Sequence, residues 1–192
     1  MRKRWRLIKP LHWGIFITGL CVLFVVVSGC FRSEPEDPDY PGVSSSPLLS
    51  RVVAGGGELK MVVPNHWERG EESPPVVLRL ASGEAGLVIE KRAPLSEKAG
   101  VVERELAAPS REWTAKGFSV SPDLLKTVSA GGIPYYYRLG VRPGETVPTL
   151  IFGLLQPADL PSHYYIYSTG FPHNERFGGE TLTVVRSIRP LK

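Results

Sequence analysis

Apolar and polar positions divide the chain into a basic head, a continuous apolar run, a polar spacer and a long stretch of short alternating segments. In that last stretch, Glu58–Val63 (ELKMVV) places Leu59, Met61 and Val63 on one face, the period of a half-buried strand. Pro64-Asn65-His66-Trp67 breaks it. Val76–Ala81 and Leu87–Arg92 predict a hairpin around Ser82-Gly83-Glu84-Ala85-Gly86. Ser96 suits a helix N-cap, and Ala99, Val102, Leu106 and Trp113 follow at helical spacing, with Pro109 predicted to kink or split the helix and Gly117 to end it. Phe118–Ser129 and Ile133–Val141 read as strands joined at Ala130-Gly131-Gly132. Arg142-Pro143-Gly144-Glu145 has the residues of a type II turn. Val147–Gln156 is apolar on both faces, as in a strand covered on both sides, and His163–Thr169 is a tyrosine-rich strand. A helix from about Asn174 to Ser187 would bury Phe177, Val184, Val185 and Ile188, with Pro190 stopping it. This order predicts an α+β fold, an antiparallel β-sheet of about six to seven strands flanked by helices on both faces.

The N-terminal residues point to export. Residues 1–10 (MRKRWRLIKP) are basic, and no charged residue follows until Arg32. Trp13 to Val27 is apolar, interrupted only by Gly14, Thr18 and Gly19, and ends in Val27-Ser28-Gly29-Cys30. This is the layout of a secretory signal. Its close resembles a bacterial lipobox: an aliphatic residue, two small ones, then Cys. The resemblance implies a diacylglycerol on the Cys30 thiol, cleavage between Gly29 and Cys30, and acylation of the amine so exposed. Two or three acyl chains anchor a protein stably to a bilayer, where one alone does not. The uncharged run from Pro10 to Phe31 could also nearly span a membrane as an uncleaved anchor. Either alternative places the rest of the chain outside the cytoplasm. Phe31 is not the Asp that retains enteric lipoproteins at the inner membrane, so the resemblance implies the outer membrane in an organism that has one.

Residues 31–50 hold four prolines, five serines and four acidic residues, a composition that buries too little to repay ordering. The expected organisation is a signal peptide over residues 1–29, a lipidated Cys and tether over 30–50, and one globular domain over 51–192.

Charge removes one class of function. The chain carries a formal +4, but five of its 23 Lys and Arg residues lie before residue 10. Without residues 1–29 there remain 18 basic against 19 acidic side chains, and a domain so nearly neutral has no general attraction for nucleic acid. Cys21 lies in the apolar run, which leaves Cys30 as the one mature cysteine. A disulfide or Cys-ligated metal site is therefore excluded, and about 140 residues must be held by their core alone.

The domain carries no complete catalytic signature. Gly117-Phe118-Ser119-Val120-Ser121 departs from a nucleophile elbow at its fifth position, where Gly is required. Asp123 and Asp159 are the domain's aspartates, and no marked Ser/His/Asp set surrounds them. Gly55-Gly56-Gly57 lacks the lysine and following helix of a phosphate loop and reads as a flexible lead into the first strand. His66, His163 and His173 have no chelating spacing, although Glu68 could join His66 on a metal. Tyr135, Tyr136, Tyr137, Tyr164, Tyr165 and Tyr167 crowd two strands. Alternation puts Tyr135 and Tyr137 on one face, and Tyr165 and Tyr167 likewise. Cross-strand packing is the favoured reading, with a recognition surface as the alternative. Trp67 and Trp113 sit where elements close onto the sheet and are predicted to be buried.

The opening strand and Pro-x-x-Trp (Val62-Val63-Pro64-Asn65-His66-Trp67), and the ending strand and helix finishing in Val185-Arg186-Ser187-Ile188, resemble PsbP-like and DcrB-like domains over roughly residues 51–190. The first family includes an extrinsic lumenal subunit of photosystem II, the second a bacterial envelope lipoprotein. The resemblance implies an α/β/α sandwich and the role of an accessory protein, and it brings no catalytic residues; the residues themselves give no reason to expect a cofactor or metal. The expected function is a non-enzymatic envelope lipoprotein, held to the bilayer through acylated Cys30. It would bind envelope proteins as a subunit or assembly accessory of a membrane complex. The rivals are a periplasmic small-ligand or metal-binding module with a cleft near His66 and Trp67, and an envelope hydrolase with an unmarked site.

Overall fold

A computed structural model describes residues 48–83, 85–95, 100–158, 160–170 and 177–191. Within them run β1 (Leu49–Ala54), β2 (Leu59–Pro64), β3 (Glu68–Arg69), β4 (Val76–Ser82), β5 (Ala85–Arg92), α1 (Val101–Ala115), β6 (Ser119–Val120), β7 (Leu125–Val128), β8 (Pro134–Val141), β9 (Leu150–Leu155), β10 (His163–Thr169), α2 (Phe177–Ser187) and β11 (Arg189–Pro190). The large sheet is antiparallel and orders its strands β3-β4-β5-β10-β9-β8-β6, with β7 also paired to β8. A second antiparallel sheet runs β1-β2-β11.

Alternation along β9 and β10 divides the core in two. Leu150, Phe152, Leu154 and Tyr165 face Leu106 and Trp113 of α1. Ile151, Leu155, Tyr164 and Ile166 point the other way, into a cluster with Leu59, Met61 and Val63 of β2 and Val184 and Val185 of α2. One face of the large sheet is thus covered by α1, the other by α2 and the small sheet. All six residues of β9 are buried, as its two-faced apolar run predicts.

Several elements differ from the sequence reading, each for a physical reason. The large sheet has eight strands among the described residues, and the small sheet was not predicted. β1 begins at Leu49, inside the stretch read as tether, and most of its residues are at least partly exposed. Gly55–Gly57 is the turn of the β1–β2 hairpin, with φ of 67°, 69° and 97°, a run of left-handed backbone that glycine alone adopts without strain. The predicted strand Phe118–Ser129 is broken between β6 and β7, where Ser121 Oγ accepts the Asp123 N–H at 3.2 Å beside Pro122. Pro190 does more than stop α2: β11 pairs Arg189 with Lys60 and Pro190 with Leu59.

α1 starts at Val101, with Gly100 at the cap position and no side-chain cap, so the cap expected at Ser96 does not belong to this helix; Ser96 itself lies outside the described residues. The helix continues through Pro109, whose ring is buried while a single intrahelical bond is forgone. Its C-terminus is a Schellman motif. Gly117, at φ 90°, donates to the Thr114 carbonyl, Phe118 donates to that of Trp113, and the Phe118 ring meets Trp113 edge-on at 5.5 Å. The turn after β8 is as predicted: Gly144 has φ 86° and Glu145 N–H donates to Arg142 O at 3.0 Å.

Candidate functional site

The Pro64–Trp67 corner, where a ligand cleft was the alternative, is a structural joint. Trp67 N–H closes the turn on Pro64 O at 3.0 Å, and its indole is 5% exposed. Trp67 Nε1 donates to Glu180 Oε2 at 3.0 Å, and His66 Nε2 lies 3.2 Å from the same oxygen. Glu180 belongs to the first turn of α2, where a carboxylate also suits the helix dipole. The carboxylate beside His66 is therefore Glu180 and not Glu68. Among the described residues no group of three or more His, Cys, Asp or Glu side chains converges as a metal site would.

His163 is 4% exposed. Its Nδ1 meets the Ala93 carbonyl, and its Nε2 is buried without a partner. Burial lowers its pKa, outweighing the Ala93 bond. The unfolded chain then takes up the proton at higher pH than the folded one. Stability is complete above about pH 6.5 and falls as pH drops from there through the lowered folded value. We predict that the urea midpoint falls between pH 7 and pH 5, and that His163→Gln flattens this slope. Equal slopes in the two proteins would refute the assignment. His173 lies outside the described residues, as do Gly29, Cys30 and Asp159.

Ser119, the serine of the near-elbow, follows a helix and opens β6, whereas an elbow needs a strand before its serine and a helix after it. The tyrosines are largely packing groups. Tyr135, Tyr164 and Tyr165 are buried, while Tyr136, Tyr137 and Tyr167 are half-buried. Tyr135 and Tyr137 stack on one face at 5.3 Å, and Tyr165 and Tyr167 lie 5.5 Å apart on another. Trp113 Nε1 donates to Tyr165 Oη at 2.9 Å, and the Arg92 guanidinium covers the Tyr165 ring at 4.1 Å. Trp113 is 8% exposed, in line with the prediction for both tryptophans.

One polar cluster escaped the sequence reading. Glu58, beside the Gly55–Gly57 turn, accepts from Lys91 Nζ at 2.6 Å and from Tyr164 Oη, which fastens the small sheet to β5 and β10. These bonds hold the Glu58 pKa below its ordinary value, while burial pushes the Tyr164 hydroxyl up. The three residues are 33 and 106 positions apart along the chain, too far for any local signal. Among the described residues no helix is long and apolar enough to cross a membrane.

Known proteins resemble this chain in fold only. No protein-family profile matches it, and no curated protein matches it in sequence. Among solved structures, the cyanobacterial PsbP (CyanoP) of Synechocystis sp. PCC 6803 is similar with a TM-score of 0.53 at 12% identity, over 76% of this chain and 94% of that one. A crystal structure from Bacteroides thetaiotaomicron VPI-5482 aligns with a TM-score of 0.40 at 11% identity, over 76% of this chain and 49% of the other. The first likeness supports a PsbP-like α+β sandwich.

Proposed function

We propose that the chain is a non-enzymatic lipoprotein of the cell envelope, tethered to a bilayer through acylated Cys30. Its domain would bind another protein as a subunit or assembly accessory of a membrane complex. The observation that carries the reading is Val27-Ser28-Gly29-Cys30 at the end of an uncharged apolar run behind a basic head. The PsbP-like fold is compatible with this reading. Of the described residues that invited metal- or ligand-binding readings, His66 and Trp67 are engaged with Glu180, and His163 with Ala93.

Membrane fractionation tests the tether. Cys30→Ser should move the protein out of the membrane fraction or stall it as the uncleaved precursor. In-membrane cross-linking of the wild type should yield a partner product of discrete mass. That product should persist in moderate salt, because a near-neutral domain relies little on screened charge. Ester turnover abolished by changing one serine, or stoichiometric zinc held through dialysis, would contradict the reading.

A further inference from the structure

A cleft of about 520 Å³ opens between α1 and the chain around β6, lined by Ser110, Arg111, Thr114, Val120, Ser121 and Arg138. Ser110, Arg111, Thr114 and Ala115 form one stripe of the helix, while Arg138 comes from β8. The volume lies within the range of small-ligand sites. Elsewhere the cations beside acids are spent: Arg69 pairs with Glu72, Lys91 with Glu58, Arg92 with Glu90 and Lys116 with Glu112. In the cleft, neither Arg111 nor Arg138 has a carboxylate partner among the described residues. Arg138 Nη1 donates to Ser110 Oγ at 3.1 Å, and its Nε is buried without an acceptor. Ser110 Oγ donates its own proton to Leu106 O at 2.6 Å and, as a neutral hydroxyl, leaves the guanidinium charge uncompensated.

The opposing charges are fewer. Asp123 stands at the rim, with Oδ2 3.5 Å from Ser121 Oγ. The helix end adds roughly half a negative charge, but the Trp113 and Thr114 carbonyls there already accept bonds from Phe118 and Gly117. Two guanidinium charges against one carboxylate and a helix end whose carbonyls are partly engaged leave the cleft a surplus of about half to one positive charge. Ala115, Val120 and Pro122 give it an apolar wall that a bare inorganic ion would leave unfilled.

We propose that this cleft binds a small organic anion, a carboxylate or phosphate head on a short apolar body, with the head between Arg111 and Arg138 and the body against Val120 and Pro122. Guanidinium groups recognise both heads through charge-assisted hydrogen bonds. The inference goes beyond the protein-binding reading and does not rest on it.

The test is calorimetric titration of the full chain at low salt with butyrate, butyl phosphate, 1-butanol and inorganic phosphate. At least one organic anion should bind saturably with a Kd of about 1 mM or tighter, and both 1-butanol and inorganic phosphate should bind at least roughly tenfold more weakly. Preference for butyrate or for butyl phosphate identifies the head group, and either supports the site. Arg111→Gln alters an exposed side chain and should leave the fold intact while weakening binding about tenfold. Arg138→Gln should do the same wherever it folds. Failure of both organic anions to saturate overturns the proposal. So does 1-butanol or inorganic phosphate binding as well as the organic anion, or undiminished affinity in Arg111→Gln.

Discussion

Replacing Gly153 with alanine is expected to cost about 3 kcal/mol or more of stability, at the upper end of what overpacking does. Gly153 sits in β9 opposite Tyr137 of β8 and Ile166 of β10. A Cβ there would lie 2.2 Å from the Tyr136 carbonyl oxygen and 2.7 Å from Tyr137 Cα. Those neighbours are backbone, so relief requires moving β8 away from β9 at the centre of the large sheet. Against a total stability of about 5–15 kcal/mol, the loss is large. Gly179→Ala is the control. It changes an exposed residue of α2 with open space around it, and should stabilise by about 0.5–1 kcal/mol through helix propensity. Denaturant midpoints of the two variants and the wild type decide. Alanine at 153 within about 0.5 kcal/mol of wild type would refute the close approach of β8 and β9.

Trp113→Ala is expected to cost about 3–5 kcal/mol, as truncations of buried tryptophan do. The indole packs edge-on to Phe118, lies beneath the Lys116 ammonium at 4.4 Å, and donates to Tyr165 Oη. Its loss would open a void between α1 and β9–β10 and remove the donor to a buried hydroxyl. Trp113→Phe keeps much of the apolar volume and forfeits that hydrogen bond, so it should fall between alanine and wild type, costing about 1–3 kcal/mol. Chemical denaturation followed by circular dichroism measures both. A Trp113→Ala loss below about 0.5 kcal/mol, the surface range, would show that α1 does not depend on this anchor.

The elements legible in the sequence are those whose side chains carry a period. β2 alternates and is buried, the pattern of β10 matches its observed bounds His163–Thr169, and β4 and β5 form the predicted hairpin, with Ser82 pairing directly with Ala85. The Pro-Gly turn before β9 was equally readable, because its φ requirement is local. β1 and β11 were not, because they are held by backbone bonds to β2, and their partly exposed side chains leave no pattern. Pro109 misled for a related reason. Its helix-breaking tendency is local, whereas the packing of α1 on the sheet that holds the helix together is tertiary. The candidate sites follow the same rule. Glu180 meets Trp67 across 113 positions, and Arg138 meets Ser110 across 28, distances at which spacing in the chain carries no information.

The proposed lipid anchor on Cys30 can be read from the mass of the mature protein extracted from membranes. The expected mass is that of a chain without residues 1–29 that begins at Cys30 and bears a thioether-linked diacylglycerol, with a further acyl chain on its amine where N-acylation occurs. A chain that keeps Met1, or one cut elsewhere with Cys30 unmodified, would contradict it.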